Sequence, residues 1–149
     1  MRIKSPLELS NPAVKATDSP NHFAKEITLI SSPPFQWSVF TIGNEGTPGA
    51  EERGSWPVLV VSRESANEAL PVVTVLPLTT RRTDRRVYPN EVLLRSGTAG
   101  LKNDAIAMAH QTRTVAKRRL TDQLGTIEDN DLRSAIRRAM CVQLNLDAT

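Results

Sequence analysis

The sequence holds a single cysteine, Cys141. One thiol closes no intrachain disulfide and makes no cysteine-based zinc site, which fits a reducing compartment. Histidine is almost as scarce. His22 and His110 lie far apart, so a histidine-rich metal centre is not expected. No run of about 18 apolar residues occurs, so no segment reads as a membrane-spanning helix. The N-terminus also lacks the apolar centre of a secretory signal. Together these exclusions point to a cytoplasmic protein with neither metal nor cofactor. Aromatic residues make up only 4% of the chain, so any core must be built from Val, Leu, Ile and Ala.

What is present suffices for one folded domain and a tail. The chain has 149 residues, 39% of them hydrophobic. Its formal net charge is +3, and arginine outnumbers lysine. The planar guanidinium suits two-pronged contacts to phosphate better than an ammonium does. Charge alone leaves nucleic-acid binding and a merely basic surface both open.

Residues 1–34 differ from the rest. Pro6, Pro12, Pro20, Pro33 and Pro34 stand among Ser, Asn and Lys, and proline interrupts helix and sheet alike. This stretch is expected to be a disordered or loosely ordered extension, with the domain over 35–149. Phe35 to Ile42 alternates like a half-buried strand. Pro57 to Val61 and Val72 to Leu78 are short continuous apolar runs, the pattern of fully buried strands. Glu91 to Leu94 and Ala105 to Ala109 read as two more, with Gln111 to Val115 continuing after a kink. Thr121 to Leu124 reads as a connector and Leu124 to Ile127 as an edge strand. Glu128 to Asp131 offers cap residues and acidic charge for a helix start. Leu132, Ile136, Ala139, Met140 and Leu144 then form one helical stripe. Several short strands closed by one helix predict an α+β, mainly β fold: a small β-barrel with a C-terminal α-helix.

Three segments carry a more specific signal. The first is Gly49-Ala50-Glu51-Glu52-Arg53-Gly54-Ser55-Trp56-Pro57 followed by the apolar run to Ser62. The second is Val73-Thr74-Val75-Leu76-Pro77-Leu78-Thr79-Thr80. The third is Gly100-Leu101-Lys102-Asn103-Asp104, then Gln111-Thr112-Arg113-Thr114-Val115-Ala116-Lys117-Arg118-Arg119-Leu120. In this order and spacing they resemble the PemK/MazF family of toxin endoribonucleases of type II toxin–antitoxin systems. The resemblance implies an SH3-like, CcdB-like barrel and a homodimer. It implies metal-independent cleavage of single-stranded RNA at short sequences, and a cognate antitoxin as partner.

It also implies site residues. Thr79 matches the family's strand-end threonine and is the expected catalytic hydroxyl. The family's catalytic arginine is replaced by Trp56, and the small polar residue of the preceding loop by Ala50. Arg53, three residues before Trp56, is then a candidate for the missing charge. Glu51, Gln111 and Arg113 match positions expected to touch RNA; an internal ion pair of Arg113 with Glu51 or Asp104 is the other reading of that residue. Arg81, Arg82, Arg85 and Arg86 follow Thr79 closely enough to form an electrostatic landing pad for the RNA backbone. A flexible solvated loop would have the same composition. His110 is able to act as acid or base near neutral pH, or simply to hydrogen-bond at a strand end. The alternative function is a catalytically weakened relative that binds RNA or antitoxin without cutting. The gyrase-poisoning role of CcdB-like barrels fits less well, because Gln111 to Leu120 follows the ribonuclease pattern.

Overall fold

The computed structural model describes residues 34–43 and 54–147. Expectations for the 1–34 extension and for Ala50, Glu51 and Arg53 therefore fall outside the described residues, Pro34 excepted. Among these described residues, seven strands and two helices follow in chain order: β1 (Ser38–Ile42), β2 (Trp56–Val60), α1 (Glu64–Ala69), β3 (Val72–Thr80), β4 (Glu91–Leu94), β5 (Ala105–Met108), β6 (Arg113–Ala116), β7 (Leu120–Thr126) and α2 (Asn130–Leu144). Three 3₁₀ turns punctuate them at Thr98–Gly100, Ala109–Gln111 and Lys117–Arg119.

The strands form one antiparallel sheet in the order β4-β5-β3-β2-β1-β7, with β6 also paired to β3. The apolar runs are continuous because the central strands are buried on both faces. Alternate residues of each strand point to opposite sides. Val39, Leu59, Leu76 and Leu78 thus join Leu94, Ile127, Ile136 and Ala139 in one core, between sheet and α2. Phe40, Ile42, Val58, Val60, Val73 and Val75 join Phe35, Val115 and Leu120 in a second, inside the curl of the sheet. The expected mainly β architecture with a C-terminal helix holds. Closure does not: β4 and β7 end the strand order, and among the described residues no ladder joins them.

Local chemistry explains the remaining elements. Asp129 caps α2 by accepting the Asp131 N–H at 2.9 Å, where the acidic run predicts a helix start. Leu132, Ile136, Ala139 and Met140 face the core as the stripe predicts, but Leu144 is 54% exposed because the helix runs past the sheet. Thr121 to Leu124 is strand, not connector: β7 runs from Leu120 to Thr126 and accommodates its polar residues on an outer edge through irregular register with β1. Helix α1 has no counterpart in the sequence reading, since six residues are too few for periodicity to show. Its Glu64 carboxylate accepts the backbone N–H groups of Phe35 and Gln36 at 2.9 Å each, tying the domain's start to α1. Gly100, at φ +78°, has no alternative residue: a Cβ there would collide with the Leu124 carbonyl of β7.

Candidate functional site

Strand β3 organises the site. One edge pairs with β2 through Val58–Pro77, Leu59–Leu76 and Val60–Val75. The other edge is shared. β6 takes Val72 to Val75, and β5 takes Leu78 to Thr80. The Thr74 N–H points to the β2 side, where it donates to Ser62 Oγ at 2.9 Å. By alternation, Val75, Pro77 and Thr79 present their backbone groups to the β5/β6 edge. Pro77, which has no N–H to donate, falls where the Ala109–Gln111 turn leaves that edge between β5 and β6. The kink expected after Ala109 thus has a physical counterpart on the facing strand.

The same alternation sorts the side chains. Val73 and Val75 belong to the inner core, so Pro77 and Thr79 lie on that face. Trp56 packs against the same core, half-buried, and pairs with Ile42 of β1. Continuing the β2–β3 register two residues beyond Val58–Pro77 sets Trp56 across from Thr79. Thr79 is half-buried and pairs with Ile106. Arg81 continues the β3–β5 ladder, its backbone N–H donating to the Asp104 carbonyl at 2.9 Å, and so stays on the Thr79 face. Arg113 pairs with Val75 at the start of β6, on that face too, and is exposed. Gln111 is exposed on the adjoining turn. Trp56, Thr79, Arg81 and Arg113 are therefore brought to one face of the sheet.

The other arginines of the loop after β3 are placed differently. Arg82 is exposed. Arg85 makes a two-pronged ion pair with the buried Glu91, Nη2 to Oε2 at 2.7 Å and Nη1 to Oε1 at 3.2 Å. The Arg85 guanidinium holds the Glu91 carboxyl below its usual range, overcoming the opposing effect of burial. Arg86 lies over the Tyr88 ring, 5.6 Å from its centroid. His110 lines an open cleft of about 610 Å³ with Arg85, Tyr88, Asn90, Glu91 and Val142, next to the end of α2. The loop run thus divides between a structural pair, an aromatic contact and two uncommitted arginines.

Two residues that the sequence reading passed over belong to the site's frame. Arg119 donates Nη2 to the Gly43 carbonyl at 3.3 Å, bracing the end of β1 beside Trp56's partner Ile42. Its place in the third motif was the available signal. Glu91 opens an apolar strand with a charge, six residues after Arg85, and that incongruity was the signal for a buried pair.

Fold and site together define a small antiparallel β-sheet protein in which Trp56, Thr79, Arg81 and Arg113 share one sheet face. The sequence matches the family described as PemK-like, MazF-like toxins of type II toxin–antitoxin systems over residues 36–144. It is 36% identical over 89 residues to the endoribonuclease MazF9 of Mycobacterium tuberculosis, a match covering 56% of this chain and 74% of that protein. It is 28% identical over 98 residues to the endoribonuclease EndoA of Bacillus subtilis, covering 66% and 83%. Among solved structures, a mycobacterial endoribonuclease in complex with its cognate antitoxin superposes with a TM-score of 0.62 at 25% identity, over 78% of this chain and all of that one. A MazE–MazF complex from Deinococcus radiodurans shares the fold, with a TM-score of 0.61 at 22% identity, over 78% of this chain and all of that one. The chain belongs to the PemK-like, MazF-like toxin family.

Proposed function

We propose that this toxin is an endoribonuclease that cuts single-stranded RNA at short sequences without a metal ion. The observation that carries the reading is the gathering of Thr79, Arg81 and Arg113 on one sheet face in a chain whose relatives are named endoribonucleases. RNA carries its own nucleophile. The 2′-oxygen loses its proton to solvent base and bonds to phosphorus, the P–O5′ bond breaks, and the 5′-oxygen takes a proton from water. What the protein supplies is orientation and donors for the charged phosphorane. The Thr79 hydroxyl is placed to donate to a non-bridging oxygen, and Arg82, Gln111 and Arg113 to hold the strand. Glu51, outside the described residues, retains the RNA-contacting role that the resemblance implies, and Arg53, also outside them, stays a candidate for the charge that Trp56 lacks. Toxicity follows from loss of messenger RNA in the cytoplasm, and a cognate antitoxin covers the site in a homodimeric toxin. No described helix is long and apolar enough to cross a membrane.

One observation favours a second reading, a binding module without turnover. Trp56, where the family carries an arginine, offers a ring for a base to stack on and no charge for a phosphorane. Incubation of partner-free protein with a long single-stranded RNA in EDTA separates the two. Discrete fragments support the endoribonuclease. Retarded but intact RNA supports the binding module.

A further inference from the structure

Position 56 poses a specific problem. If the chain cuts RNA, the positive charge that Trp56 lacks has to come from elsewhere on the same face. We infer that Arg81 supplies it, as a catalytic residue acting beside Thr79 on the scissile phosphate. The inference rests on the endoribonuclease reading and assigns the cation within it.

Most of the other described arginines are placed elsewhere. Arg85 is committed to Glu91 through both of its terminal nitrogens. Arg86 is stacked on Tyr88. Arg119 donates to the Gly43 carbonyl on the far side of β1. Arg133 and Arg137 lie over Trp37, at 5.6 and 4.9 Å, on the helix side of the sheet. Arg113 is on the right face but pairs with Val75, four residues before Thr79, about 13 Å along the strand at 3.3 Å per residue. Arg82 lies past the end of β3 with an exposed side chain, and no bond among the described residues fixes that side chain beside Thr79. Arg81 alone stands two residues from Thr79 on its own face, roughly 7 Å along an extended chain.

Its environment fits the task. The Arg81 backbone is pinned by the bond to the Asp104 carbonyl at 2.9 Å, so the base of the side chain is fixed. The residue is half-buried; its Nε, like that of Arg119, is out of reach of solvent and without a hydrogen-bond acceptor, so it is the terminal nitrogens that are left for a ligand. Among the described residues no carboxylate pairs with the Arg81 guanidinium; the neighbouring Asp104 carboxylate accepts the Ser96 N–H at 2.8 Å and faces Arg95 at 3.9 Å. A phosphate held between its two terminal nitrogens would meet the two-pronged geometry that guanidinium favours. The same oxygens gain charge as the 2′-oxygen adds to phosphorus, which makes the contact stronger in the transition state than in the bound substrate. Trp56, across from Thr79, would then shield this contact from water.

The test is single-turnover cleavage of a long single-stranded RNA in EDTA, at saturating full-length protein. Arg81→Ala is expected to lower the saturating rate by about 10²-fold or more, with a smaller change in the half-saturating concentration. Arg81→Lys should recover part of the rate. Added guanidinium ion at millimolar level should partly restore Arg81→Ala, which a purely structural loss would not allow. Trp56→Arg introduced into Arg81→Ala should recover about tenfold or more, because the charge returns across from Thr79. Arg95→Ala, a loss of equal charge at an exposed side chain, controls for net charge, and thermal melts of each variant control for folding. A saturating rate for Arg81→Ala within about threefold of wild type would overturn the assignment while leaving the endoribonuclease reading intact. A wild-type protein that cuts nothing would overturn that reading, and this assignment with it.

Discussion

Arg85 and Glu91 are locked together by two parallel bonds, at 2.7 and 3.2 Å, with the Glu91 side chain 1% exposed and that of Arg85 32%. The Tyr88 N–H adds a third bond to the same carboxylate at 3.1 Å. The loop after β3 is thereby folded back onto β4. Removing one partner leaves the other charge without its counterpart in a covered site, which is the damaging way to break such a pair. Arg85→Ala should lower the melting temperature by several degrees at neutral pH. The Glu91 carboxyl is held below its ordinary range, chiefly by the Arg85 hydrogen bond. A depressed folded-state pKa stabilises the fold above the unfolded value and loses that effect as the pH falls through the folded one. The stability gap between wild type and Glu91→Gln should therefore narrow as the pH drops below about 4. A gap that is constant from pH 7 to pH 3 would contradict the pairing.

Gly100 and Gly97 both hold positive φ, yet only Gly100 is crowded. Gly97→Ala should cost about 1–2 kcal/mol, from backbone strain alone. Gly100→Ala meets that strain and the Leu124 carbonyl, and should cost about 2–4 kcal/mol. Urea midpoints measure both. Equal losses would show that the turn does not press against β7.

Thr79→Val keeps the shape of the side chain and removes its hydroxyl. Cleavage at saturating RNA should fall about 10²-fold with an unchanged melting temperature. Unaltered turnover would remove Thr79 from the chemistry and leave it a strand-end residue.

Arg82 projects into solvent with no charge partner among the described residues. As a backbone-contacting cation, it should set part of the salt dependence of RNA binding. Arg82→Ala should reduce the slope of log K against log salt by about 0.7, the value for one phosphate contact on a single strand. An unchanged slope would assign the residue to solvent alone.

Trp56 offers a different readout. Trp56→Leu preserves an apolar contact with the inner core but removes the ring. Binding of single-stranded RNA should weaken by about 1–3 kcal/mol, a rise in Kd of about fivefold to 150-fold, if a base stacks there. Unchanged affinity would confine Trp56 to packing.

The sequence was most legible where one physical rule acts alone. Glu91 to Leu94 and the start of α2 at Glu128 to Asp131 follow from strand patterning and helix capping, and both are where those rules put them. The kink between Ala109 and Gln111 was readable as well, although its cause lies at Pro77 on another strand. The exposed polar face of Thr121 to Leu124 disguised a strand as a connector, because an edge strand has no apolar alternation to show. Helix α1 is held by tertiary bonds from Glu64 to Phe35 and Gln36, which no local pattern records. The candidate site shows the same limit. That Thr79 lies at the end of a strand was legible from its motif. The different placements of Arg81, Arg82, Arg85 and Arg86 were not, because one composition covers an ion pair, a ring contact and two uncommitted cations.

The endoribonuclease reading meets its most direct test in the ends it leaves on RNA. Partner-free toxin is incubated in EDTA with a long single-stranded RNA, and with a copy in which each mapped cleavage site carries a 2′-deoxy nucleotide. Attack by the 2′-oxygen predicts fragments with 5′-hydroxyl ends and no cleavage at the deoxy sites. Intact RNA, fragments with 5′-phosphate ends, or unchanged cutting of the deoxy copy would contradict it.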